Sequence, residues 1–133
     1  MAVGEGEIAD LPVMIRGDHL TPGDLAPRGF PAILGGHENT SIGHDSSGRF
    51  ELAEWLTRPE HPLTARVMVN RIWKWHFGEG IVRSTDNFGL LGDRPANLAL
   101  LDWLATRFME SGWSVKTMHR TIMLSDAYQM SSK

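Results

Sequence analysis

A mainly α-helical fold, a small domain of about four helices behind an extended Gly/Pro-rich lead, is what this sequence predicts, and three observations predict it. Apolar residues recur at helical spacing along residues 49–133. The first 48 residues hold nine Gly and four Pro, against five and three in the remaining 85, which places a composition boundary near Gly48. The absence of cysteine removes disulfides and thiolate metal centres as sources of stability, so a hydrophobic core must hold the fold. Residues 1–48 are therefore read as lead and linker, and residues 49–133 as the helical core.

The lead is read in three pieces. "LPVMIRGD" is a short extended segment, because Val13, Met14 and Ile15 lie between Pro12 and Gly17. "TPGDLAPRGFPAILGG" carries too many prolines for a helix, since each removes a donor and clashes with the preceding turn. "HENTSIGHDSSG" is polar linker.

The helices follow in order. "RFELAEWLT" sets Leu52, Trp55 and Leu56 on one face, with Ser47 as cap and Pro59 forcing an end near Arg58, so a helix is expected over 49–57. A second is expected over 63–77, capped by His61, with Pro62 at its first position and Gly78 beyond its end. On its wheel, at about 100° per residue, Trp75, Met68, Ile72, Ala65, His76, Val69 and Trp73 share one arc. Arg66, Asn70, Lys74, Arg71 and Thr64 lie on the other, interrupted by Val67 and Phe77, so both sides are expected to touch protein. A third helix is expected over 98–111, with Asn97 as cap, Leu100, Leu101, Leu104, Ala105 and Phe108 as its buried stripe, and Gly112 as the left-handed residue after it. Ser114 caps a fourth over 115–128, built on Val115, Met118 and Ile122.

Charge narrows the function classes. The net charge of −3 provides no field that would draw the chain onto nucleic acid. Residues 1–48 carry −5 and residues 49–133 only +2. The third and fourth helices have a helix-turn-helix outline with Lys116 and Arg120 on the second of them, but Glu110, Asp126 and the missing basic arm speak against a nucleic-acid binder. No apolar run approaches the ~18 residues of a membrane span. "MAVGEGEIAD" has neither the basic nor the apolar region of a signal peptide.

The candidate site is a polar cluster on the second helix. Arg66, Asn70 and Lys74 recur every four residues and form one row of donors suited to a carboxylate, a phosphate or sugar hydroxyls, with Arg71 and His76 beside it. The structural reading of the same row is that Asp86, Asp102 or Asp126 consumes it, with Arg66 and Asn70 largely buried and Asn70 bonded to backbone of the Gly-rich connection. His76 reads as a core imidazole bonded to a carbonyl or as a base, with His119 as its partner in the second case. Trp103 lies away from the leucine stripe, as a docking contact or a stacking platform. His37, Glu38, His44 and Asp45 gather possible metal ligands on a loop that orients them poorly, and no metal or other cofactor is expected. Phosphate-loop and nucleophile-triad patterns are absent.

The strings "IRGDHLTPGDLAPRGFP", "ELAEWLTRPEHPLTARVMVNRIWKWHFGEGIV", "DNFG" and "LLDWLATRFMESGWSVKTMHRTIMLSDAYQMSS" together resemble the planctomycete-type domain of unknown function numbered fifteen fifty-three. The resemblance implies an extracytoplasmic setting, in a large exported protein that carries a companion domain and often a cytochrome-c-like segment. It implies no activity. His61 stands where that family has Asn before Pro62, and Asn97 caps where it has a Ser-x-Pro-Glu start. The family domain extends beyond both ends of this chain, which is read as an excerpt. The expected function is a non-catalytic structural or interaction module whose partners are companion domains; a polysaccharide-related enzyme or sugar-binding module using the polar cleft is the alternative.

Overall fold

The computed structural model describes Gly4 and residues 6–35 and 42–130. His37, Glu38 and the Asn39 sequon lie outside the described residues. The fold is mainly helical, with five α-helices and one two-stranded sheet among the described residues, and the chain divides into two compact units, Met1–Arg58 and Pro59–Lys133.

In the first unit, β1 (Leu11–Met14) pairs antiparallel with β2 (Pro22–Ala26), with Leu11 opposite Ala26 and Met14 opposite Pro22. Asp18 closes the turn between them, its carboxylate accepting from the Leu20 amide at 2.9 Å and from the Thr21 hydroxyl at 3.2 Å. The extended reading of 11–18 thus becomes half of a hairpin. α1 (Arg49–Thr57) starts at Gly48, whose left-handed φ of 83° turns the chain into the helix. The N-cap position falls on Gly48, one residue after the expected Ser47, whose hydroxyl accepts from Arg49 Nη1 at 3.1 Å. Trp55 is buried and stacks on Phe30, centroids 4.9 Å apart.

The second unit contains α2 (Thr64–Phe77), α3 (Leu98–Glu110), α4 (Val115–Met123) and α5 (Asp126–Gln129). α2 and α3 pack together, and α4 lies against both. The core is made by Ala65, Val69 and Ile72 of α2, Leu101, Leu104, Ala105 and Phe108 of α3, and Met118 and Ile122 of α4, joined by Ile81 and Val82 from the connection between α2 and α3. Each fully buried Leu, Ile or Phe contributes about 1.5–3 kcal/mol, so this cluster supplies most of the driving force.

The helix ends are sharply specified. His61 Nδ1 accepts from the Thr64 amide at 3.2 Å and so caps α2, which begins two residues after Pro62. Asn97 accepts from the Leu100 amide at 3.0 Å and Ser114 from the Thr117 amide at 3.2 Å. After α3 the Trp113 amide bonds Phe108 O and the Gly112 amide bonds Met109 O, both at 3.0 Å, with Gly112 at φ 68° and the Trp113 ring edge-on to Phe108. This is the Schellman arrangement, complete with its apolar contact. Replacing Asn97 or Ser114 by Ala should each lower stability by about 1 kcal/mol, read from urea unfolding.

The expectation of one helix over 115–128 is corrected: α4 stops at Met123 and α5 restarts after Ser125. The Ser125 hydroxyl donates to Ile122 O at 2.6 Å and accepts from the Tyr128 amide at 3.4 Å. A serine whose hydroxyl competes for backbone partners favours a cap over a helix interior.

Candidate functional site

The polar row of α2 is anchored at Asn70, which is fully buried. Its amide nitrogen donates to Val82 O at 3.0 Å and its oxygen accepts from the Val82 amide at 2.9 Å. One side chain thus satisfies both backbone groups of a buried residue, the bonding that a neighbouring strand would otherwise supply. Gly80 makes room for this clamp, since a Cβ there would lie 2.4 Å from Val82 O and 2.8 Å from Asn70 Nδ2. Further along the connection the Ser84 hydroxyl donates to Asn87 O at 2.9 Å and accepts from the Asp93 amide at 2.7 Å, and the Ala96 amide donates to Ile81 O at 2.8 Å. "DNFG" is therefore part of a fastened loop, in which Asn87 Oδ1 accepts from the Gly89 amide and Phe88 packs on the core.

One turn towards the start of α2, Arg66 Nε donates to Asp102 Oδ1 of α3 at 2.6 Å and Nη1 donates to Pro62 O at 2.5 Å. The carboxylate partner is as expected, but the burial is not: the Arg66 and Asp102 side chains are 36% and 42% exposed. They stand at a groove of about 400 Å³ that Glu60, His61, Thr106 and Met109 also line. Solvent screening limits such a pair to about 1 kcal/mol, below what a buried guanidinium would imply. One turn the other way, Lys74 Nζ donates to Thr85 Oγ1 at 3.2 Å. Arg71 lies 3.6 Å from Asp86, both well exposed.

His76 has a neighbour that no sequence spacing reveals. Its Nε2 lies 2.7 Å from Nδ1 of His119 on α4, so one ring donates to the other, and the reading of His76 as bonded to a backbone carbonyl gives way to this pair. Tyr128 of α5 stands edge-on to both His76 and Phe77, centroids 5.4 and 5.7 Å apart. Burial, and then the proximity of His119, hold His76 below the ordinary imidazole value of 6.5. Burial lowers His61 as well, and its cap on Thr64 needs the neutral ring as acceptor.

The aromatic side chains divide differently from the wheel. Trp73 packs on the core and stacks on Phe77 at 4.2 Å, whereas Trp75, assigned to the apolar arc, is 85% exposed. Trp103 is 51% exposed, consistent with its place off the leucine stripe. Sequence reasoning missed Arg28, which organises the first unit. It bonds Asp10 through Nε at 2.9 Å, reaches Ser46 O through Nη1 and reaches Gly43 O through Nη2 at 3.3 Å. The two bonds from Arg28, side chain first and then backbone, hold the Asp10 carboxyl below its usual range. The signal for it in the sequence is the lone arginine between Pro27 and Gly29 in "APRGFP".

Among the described residues no three His, Asp or Glu side chains converge as a metal site, and no helix is long and apolar enough to cross a membrane. Taken together, the second unit is a small helical body whose long connection is pinned by side chains of one helix. Residues 48–133 match the family model described as PSD1, protein of unknown function (DUF1553), and the chain belongs to that family. No curated protein and no solved structure matches the chain.

Proposed function

We propose that the chain acts as a non-catalytic structural or interaction module of a larger exported protein, with residues 1–48 as a Gly/Pro-rich lead to a helical core. The observation that carries this reading is the fate of the polar row. Arg66 bonds Asp102 and Pro62 O, Asn70 bonds Val82, and Lys74 bonds Thr85, all within one unit. Donors committed to internal partners fix the shape of a surface more readily than they capture a ligand. The companion domains of the full-length protein are the natural partners, with half-exposed Trp103 as one contact, and the family resemblance supplies the extracytoplasmic setting and the cytochrome-c-like neighbours.

A second reading, a sugar- or anion-binding module, has the groove beside Arg66 and Asp102 in its favour. The Arg66→Met variant separates the two. The scaffold reading expects unfolding in urea about 1 kcal/mol easier than the parent, with a comparable loss in Asp102→Asn and less than additive loss in the double variant. Equal or greater stability in Arg66→Met, together with loss of binding to a soluble oligosaccharide or inorganic phosphate that the parent retains, would establish the binding module instead.

A further inference from the structure

We propose that His76 and His119 form an acid-sensitive latch on α5: one proton bridges the two rings, and charging both rings opens the bridge and undocks Tyr128 with its short helix. The geometry sets the rule. At 2.7 Å the two nitrogens are within hydrogen-bond range and too close for two N–H groups to face one another. A neutral pair keeps the bridge, one ring donating and the other accepting. A singly protonated pair also keeps it, now charge-assisted. With both rings protonated neither nitrogen can accept, and two cations meet at bonding distance, so the rings must separate.

The surroundings offer the dication little relief. On α2 the charged neighbours are Arg71, paired with Asp86, and Lys74, bonded to Thr85; just beyond its end, Glu79 pairs with Arg83. α4 carries Lys116 and Arg120, both cationic, and α5 carries Asp126 and Tyr128. On α3, which packs against α2 and α4, Arg107 pairs with Glu110 and Asp102 bonds Arg66. His76 lies in the last turn of α2, where the helix dipole favours one positive charge and supports the singly protonated bridge.

The rings are tied to α5 through Tyr128, which stands edge-on to His76 and Phe77. α5 has only four residues, far too few to persist without tertiary contacts, so losing the His76 face of the Tyr128 seat weakens its hold, with the Ser125 cap, the bond from Gln129 Nε2 to Met123 O at 3.4 Å and the Phe77 edge remaining among the contacts of the described residues. Burial and His119 already hold His76 below 6.5, so the latch stays shut through neutral pH and opens in mild acid. The sign follows from linkage. The folded pair resists its second proton, which the unfolded rings accept, so this stabilisation is present above the ordinary imidazole value of 6.5 and is lost as pH falls through the lower folded value.

Tyr128 is the chain's one tyrosine, which makes the test direct. The full chain, ring-labelled at tyrosine, phenylalanine and tryptophan, is titrated from pH 8 to 4.5 by NMR. The expected result is that the Tyr128 ring signals move to exposed-tyrosine positions before the Phe108 and Trp113 core signals change. His119→Gln keeps an acceptor for His76 and takes up no charge, so its Tyr128 signals should stay at the pH 8 positions; if that variant folds poorly, His76→Phe should behave the same way. A Tyr128 signal that ignores pH in the parent, one that moves only with the core, or one that titrates alike in parent and variants would overturn the latch.

Discussion

Asn70→Ala unfolds about 3 kcal/mol more easily than the parent, and its thermal midpoint falls by roughly 10–20 °C. The magnitude follows from what the amide leaves behind. Val82 is buried, and Asn70 Nδ2 and Oδ1 satisfy its carbonyl and amide at 3.0 and 2.9 Å. Alanine orphans both groups at once, each costing about 1–3 kcal/mol, and adds a cavity beside Gly80 and Val82. Asn70→Asp should be no milder despite its shape, because a carboxylate cannot donate to Val82 O and a buried charge without a partner is worse than a void. Urea unfolding at neutral pH, followed by tryptophan fluorescence, measures both.

Gly80→Ala carries the second large effect, a loss of about 2–3 kcal/mol. The added Cβ meets Val82 O at 2.4 Å and both terminal atoms of Asn70 within 2.9 Å. Neither neighbour is the free end of a flexible side chain: one is backbone and the other is pinned at both ends, so the strain spreads into the connection. Asn70→Ala and Gly80→Ala act on one clamp, and the double variant should lose less than the two single losses together. A double variant with a fully additive loss would mean that the two residues support the loop independently.

The parts of this fold that were legible in the sequence are those set by neighbours a turn or two away. The starts of α1 and α3, the caps at Asn97 and Ser114 and the left-handed Gly112 come from local chemistry, and the structure repeats them within a residue or so. Asn70 was legible for a subtler reason: a polar residue on a helix face interrupted by Val67 and Phe77 has to be covered, and a Gly-rich connection offers backbone to cover it. Trp75 misled because a wheel assigns an arc by angle alone: α4 and α5 meet the last turn of α2 at His76 and Phe77 and leave Trp75 exposed. The β1–β2 hairpin escaped because its strands are largely exposed and carry no apolar alternation, while Pro12 and Pro22 look like strand breakers. Arg28 with Asp10, and His76 with His119, join positions 18 and 43 apart, and no local pattern encodes such meetings.

Native-state hydrogen exchange at the Val82 amide tests most directly whether the polar row of α2 exists to fasten the connection. In the parent the Val82 amide should exchange as slowly as the amides of Leu104 and Phe108 in the core of α3, because it opens only when Asn70 lets go. In Asn70→Ala its protection should drop to that of the exposed loop around Leu90 while α3 remains slower. A Val82 amide that exchanges in the parent as fast as that exposed loop, or that keeps its full protection in Asn70→Ala, would contradict the clamp and return the polar row of α2 to the status of a vacant binding site.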